Sequence, residues 1–81
     1  MASKIENIKT GLDMLIEDTS VPRNIRKGSE AIKGLLGDDS EPMDVRKSRA
    51  LSSLDDMAND PNIPLHGRTL VWNIMSQMET L

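Results

Sequence analysis

The sequence predicts an all-α chain: a compact antiparallel four-helix bundle made of helix-turn-helix units. Three observations predict it. One helix-starting phrase occurs three times. Apolar residues between the phrases recur at steps of three and four. No stretch alternates polar and apolar residues as a half-buried strand would.

The phrase runs from Asp18 to Arg26, from Asp38 to Arg46 and from Asp60 to Arg68. Each copy has Asp, a small polar residue two later, Pro four later and Arg eight later, and the Asp-to-Asp spacings are 20 and 22 residues. Ser20, Ser40 and Asn62 are N-cap residue types, able to satisfy an orphan amide of a first turn. Pro22, Pro42 and Pro64 suit that first turn, where no intrahelical N–H bond is lost and the ring fixes a helical φ. Asp18, Asp38 and Asp60 bring negative charge near helix starts. Arg26, Arg46 and Arg68 fall one turn in, from where each reaches a loop Asp of its own or a neighbouring unit and ties the units together.

Three such turns make four helices, at about 3–17, 21–36, 41–59 and 63–80, in a single domain spanning residues 1–81. The first carries Ile5, Ile8, Leu12, Leu15 and Ile16 on one stripe. The second carries Val21, Ile25, Gly28, Ile32, Leu35 and Leu36, with Gly37 placed where a left-handed C-cap belongs. The third carries Val45, Ala50, Leu51, Leu54, Met57 and Ala58. The fourth carries Ile63, Gly67, Leu70, Val71, Ile74, Met78 and Leu81. The short connections predict antiparallel packing of successive helices. Gly11, Gly28 and Gly67 each cost about 1 kcal/mol against Ala inside a helix, and close packing offsets that. Gly28 and Gly67 lie on the stripes, so helix crossings are expected there.

Composition narrows the function classes. Trp72 is the only aromatic residue, so the core must be aliphatic, with six Met to fill it. The absence of Cys excludes disulfides, thiolate metal sites and thiol catalysis. No apolar run is long enough for a membrane span and the N-terminus has no signal-peptide layout, which points to a cytoplasmic protein with no membrane partner. Ten basic residues against 13 acidic ones give a net charge of -3, a balance that weighs against nucleic acid as the partner.

The candidate chemistry is sparse. Asp38, Asp39, Glu41 and Asp44 crowd one turn but lack the central Gly and closing Glu of a calcium loop, so a solvated capping turn is expected and no metal. His66, the only histidine, has no partner visible in the sequence and reads as a surface residue. No glycine-rich phosphate loop occurs, and no catalytic residue or cofactor site is expected. Two features remain. Arg23 and Lys27 open the second helix and Lys47 and Arg49 the third, matched positions that form a candidate anion patch. Trp72 lies off the main stripe of the fourth helix; with Leu65 and Met75 it forms a candidate interface, the alternative being that it covers the edge of a neighbouring helix.

The pairs Ile25-Arg26 and Val45-Arg46 after a Pro-bearing turn resemble the intra-repeat turn of HEAT-type helical repeats. Over nearly its full length the chain also resembles a family of small archaeal proteins, uncharacterised protein family zero-one-four-seven. The segments that carry this are D-T-S-V-P-R-N-I-R at 18–26 and N-D-P-N-I-P-L-H-G-R-T-L-V-W-N-I-M-S-Q-M-E at 59–79. The resemblance implies an all-α four-helix fold and no activity. Asp18 and Asp60 lie 42 residues apart, so the chain reads as two helix pairs, too few for an open solenoid and better closed on themselves. The expected role is a non-enzymatic protein-interaction module that self-associates or takes an unidentified protein partner. The alternative is an RNA- or phosphate-associated accessory protein using the basic residues.

Overall fold

The computed structural model describes residues 3–81 as four helices: α1 Lys4–Glu17, α2 Arg23–Leu36, α3 Met43–Ala58 and α4 Leu65–Glu79. No strand occurs among the described residues. Each helix packs on its neighbour in sequence, and α1 also packs on α4, so the four close into a ring with no diagonal contacts.

The repeated phrase builds three nearly identical turns, by a mechanism that differs from the expected one. Asp18 Oδ1 accepts the Ser20 N–H at 2.9 Å and its hydroxyl at 2.6 Å. Asp38 holds Ser40 in the same way, its Oδ1 accepting the Ser40 N–H at 3.0 Å. Asp60 Oδ1 accepts the Asn62 N–H at 2.8 Å. The small polar residue therefore closes an Asx turn and does not cap a helix. The N-cap is the proline itself, with ψ of 148° at Pro22, 150° at Pro42 and 155° at Pro64, and no side-chain cap bond. Each proline carbonyl accepts the N–H of its phrase's arginine, at 3.0–3.1 Å. Helices α2, α3 and α4 consequently begin two residues later than expected, at 23, 43 and 65. Only α1 has a side-chain cap, Ser3 Oγ accepting the Glu6 N–H at 3.1 Å.

The apolar stripes meet in one core, and it has a 42-residue internal register. Ile8, Leu12, Leu15, Val21, Ile25, Ser29, Ile32 and Leu36 are buried, and so are the residues 42 positions on: Ala50, Leu54, Met57, Ile63, Gly67, Val71, Ile74 and Met78. The hairpin of α1 and α2 and the hairpin of α3 and α4 thus bury equivalent positions, most of them large and apolar in both, with a large residue matched by a small one at Ile8 and Ala50 and at Ile25 and Gly67.

Three expectations are corrected. Val45 is 38% exposed rather than on the core stripe. Gly37 has φ −89° and ψ −3°, a right-handed end closed by its N–H on the Gly34 carbonyl at 3.1 Å. Gly67 faces Ile63 of its own turn, not a neighbouring helix. The close α1–α4 crossing is instead at Gly11, where an added Cβ would lie 2.9 Å from Ile74 Cγ1. Gly28 does sit at a crossing, where an added Cβ would lie 3.0 Å from Met57 Sδ.

Candidate functional site

The turns between α1 and α2 and between α3 and α4 lie at the same end of the bundle, and they exchange hydrogen bonds. Asn24, six residues into the first phrase, donates to Asp60 Oδ2 at 2.9 Å. His66, six residues into the third phrase, has Nε2 2.8 Å from Asp18 Oδ2. The leading Asp of each phrase thus holds the same position of the other, a reciprocal strap between the hairpins. Ser20 Oγ also lies 3.1 Å from His66 Nε2.

A Ser, a His and an Asp in contact invite comparison with a nucleophilic triad. A triad needs the Asp on one imidazole nitrogen and the Ser on the other, with the hydroxyl proton available to the base. Here both contacts fall on Nε2, and Ser20 Oγ spends its proton on Asp18 Oδ1. The cluster is arranged as a strap. His66 is largely exposed, as expected, but it has partners, 46 and 48 residues away in sequence, that the sequence did not reveal. The Ser20 hydroxyl and amide, then the His66 contact, lower the Asp18 carboxyl to about 2. Ser40 holds Asp38 below its ordinary value, and Asn24 followed by Asn62 does the same for Asp60.

Two of the three phrase arginines hydrogen-bond backbone carbonyls rather than the carboxylates expected. Arg46 Nη1 donates to the Leu36 carbonyl at 2.8 Å, and Arg68 Nε to the Ala58 carbonyl at 3.0 Å. Each carbonyl belongs to the last residue of the preceding helix, ten positions back, so a cation sits on the negative end of that helix dipole. Arg46 comes within only 4.0 Å of Asp39. Arg26 makes no side-chain bond among the described residues, and its buried Nε has no partner.

The four residues of the candidate anion patch are not brought together. Successive helices are antiparallel, so the starts of α2 and α3 lie at opposite ends of the bundle. Lys47 is engaged with the Glu79 and Leu81 carbonyls, at 3.0 and 3.4 Å. Arg49 pairs with Glu41 at 3.2 Å. Arg23 and Lys27 line a depression of about 250 Å³ together with Arg26, Glu30 and Ile16.

The α4 residues divide as well. Leu65 is 72% exposed and Trp72 54%, and neither belongs to the buried core. Met75 packs against the core. Thr69 and Ser76 lie on the same outward face as Leu65 and Trp72 and are exposed. Beside this face a depression of about 330 Å³ opens between α1 and α4, lined by Met14, Asp18, His66, Thr69, Leu70 and Asn73.

Comparison with known proteins places these features in a family. The model of Uncharacterised protein family (UPF0147) matches residues 1–81. The chain belongs to UPF0147. A UPF0147 protein of Methanosarcina acetivorans is 50% identical over 70 residues, covering 86% of this chain and 72% of that one. One from Archaeoglobus fulgidus is 40% identical over 82 residues, covering 100% of this chain and 93% of that one. The crystal structure of a UPF0147 protein from Thermoplasma acidophilum superposes with a TM-score of 0.93 at 42% identity, over 96% of this chain and 92% of that one. The crystal structure of MMP1188, described as a protein of unknown function, gives 0.90 at 42% identity, over 96% and 89%. UPF0147 is thus an archaeal family of unknown function. No helix among the described residues is long and apolar enough to cross a membrane.

Proposed function

We propose that this protein is a non-enzymatic interaction module that pairs with a second copy of itself through the outward face of α4. The observation that carries the reading is the exposure of Leu65 and Trp72 on a helix whose opposite face already completes the core. A large aromatic anchor beside an aliphatic one is the usual composition of an interface centre.

Charge favours a second copy as the occupant. From Leu65 to Gln77 the exposed residues of α4 are Leu65, His66, Thr69, Trp72, Asn73 and Ser76, with no Lys, Arg, Asp or Glu among them. The outward residues of the other helices include Glu6, Glu17, Arg23, Lys27, Glu30, Asp44, Asp55 and Asp56. A two-fold interface sets a surface against itself, so a charge near its axis meets its own copy. The α4 face comes nearest to avoiding this, Glu79 at its far end being its one exposed charge.

Trp72 is the only aromatic residue, so its fluorescence reports on this face alone. Sedimentation equilibrium should show a dimer, and dilution should move the Trp72 emission toward longer wavelength. Leu65→Ser should yield a folded monomer. A chain that sediments as a monomer at high concentration, with emission independent of dilution, overturns the proposal.

A further inference from the structure

We infer a second, independent site: a pocket for a dianionic phosphate group at the start of α2, formed by Arg23, Arg26 and Lys27. Three cationic side chains converge on one depression of about 250 Å³. None has a hydrogen-bond or ion-pair partner among the described residues. The repeat supplies a control for each key residue. Arg46 and Arg68, equivalent to Arg26, are both consumed by the last carbonyl of the preceding helix. Arg26 alone makes no such bond, its buried Nε has no partner, and the residue lines the depression. Lys47, equivalent to Lys27, is likewise consumed, by the end of α4. Arg23 is a cation where the other phrases have Met43 and Leu65. The first phrase is therefore the one copy that keeps its positive charge unspent.

Charge balance sets the ligand. Three cations and the one carboxylate of the pocket, Glu30, leave a surplus of two positive charges, which a phosphate monoester matches and a single phosphodiester does not. The depression offers Ile16 as its one apolar side chain and no aromatic surface, so nothing there would stack on a base. The basic residues of α3 lie at the opposite end of the bundle and are already engaged, so no continuous stripe exists to follow a nucleic-acid backbone.

The test is titration of the full-length protein at low salt with inorganic phosphate, with pyrophosphate, and with one short RNA bearing either a 5′-phosphate or a 5′-hydroxyl. Saturable binding of phosphate and pyrophosphate is expected, with the 5′-phosphorylated RNA preferred over its 5′-hydroxyl twin. Lys27→Ala and Arg23→Ala, both at exposed positions, should each weaken phosphate binding by about tenfold, the loss of one charge-assisted contact. Glu30→Gln should strengthen it, and Lys47→Ala should leave it unchanged. Failure of phosphate to bind, binding indifferent to Arg23→Ala and Lys27→Ala in proteins that keep their helical circular dichroism, or equal binding of the two RNAs would overturn the assignment.

Discussion

The outward faces of α2 and α4 occupy equivalent places in the two hairpins and carry opposite chemistry. Leu65, Thr69 and Trp72 on α4 stand 42 positions after Arg23, Lys27 and Glu30 on α2. The inward positions of the same two helices are buried alike: Ile25, Ser29, Ile32 and Leu36 on one, Gly67, Val71, Ile74 and Met78 on the other. Burial fixes the register because a residue shut from water has few tolerable replacements, whereas an outward residue is constrained by little except solubility. One hairpin plan has thus yielded a charged face and a neutral apolar one. The difference is confined to the outward positions, where both proposed sites lie.

The sharpest way to break this comparison is to test whether the inward halves are energetically equivalent. Leu12 and Leu54 are fully buried and 42 residues apart. Leu12→Ala and Leu54→Ala should each cost about 2–5 kcal/mol, the range for a large-to-small change in a packed core. Urea unfolding followed by circular dichroism measures both. A cost in one hairpin several times that in the other would show that the 42-residue register is only geometric.

A smaller effect separates the phrase arginines. Arg68 donates to the Ala58 carbonyl, and Arg26 donates to none. Arg68→Ala should cost about 1.5–3 kcal/mol, the range for a hydrogen bond from a charged group, while Arg26→Ala should cost clearly less. The same unfolding assay decides it. Equal costs would mean that Arg26 has a structural task, and would weaken its assignment to a ligand.

What the sequence made legible follows the same division. Helix number, the stripes and the turn positions could be read because they rest on local periodicity and on Asp, Pro and Arg at fixed offsets. The proline could not be placed at the N-cap, because first-turn and cap positions look alike until the backbone is seen. The arginine partner was misread for a related reason. A carboxylate is visible as a residue type, whereas a helix-end carbonyl belongs to every residue. The ten-residue step from Arg46 and Arg68 back to the last residue of the preceding helix appears only once the helix ends are seen. Asp18 with His66 was beyond reach, since it depends on which turns share an end of the bundle. Gly11 was underrated because it lies beside the stripe, yet α4 leaves no room there for a Cβ.

The two straps at the shared end offer the finest test, because they are equivalent in place and different in chemistry. Asp18 is held by Ser20 and His66, Asp60 by Asn24 and Asn62. The Asp18 carboxyl titrates at about 2 in the folded chain against 3.8 ordinarily. Above the unfolded value both states are ionised, and the strap contributes its full stability. As pH falls from there toward the folded value, the unfolded chain takes up a proton that the folded chain refuses, and the contribution is lost. Asp38 and Asp60 are shifted in the same direction and add to the same acid limb. The urea midpoint should therefore fall between about pH 4 and pH 2. Because the Ser20 hydroxyl is the largest cause at Asp18, Ser20→Ala should flatten that fall more than His66→Ala does. The reverse order would make His66 the main support of Asp18 and the first strap an ion pair, unlike the uncharged amide contact that holds Asp60.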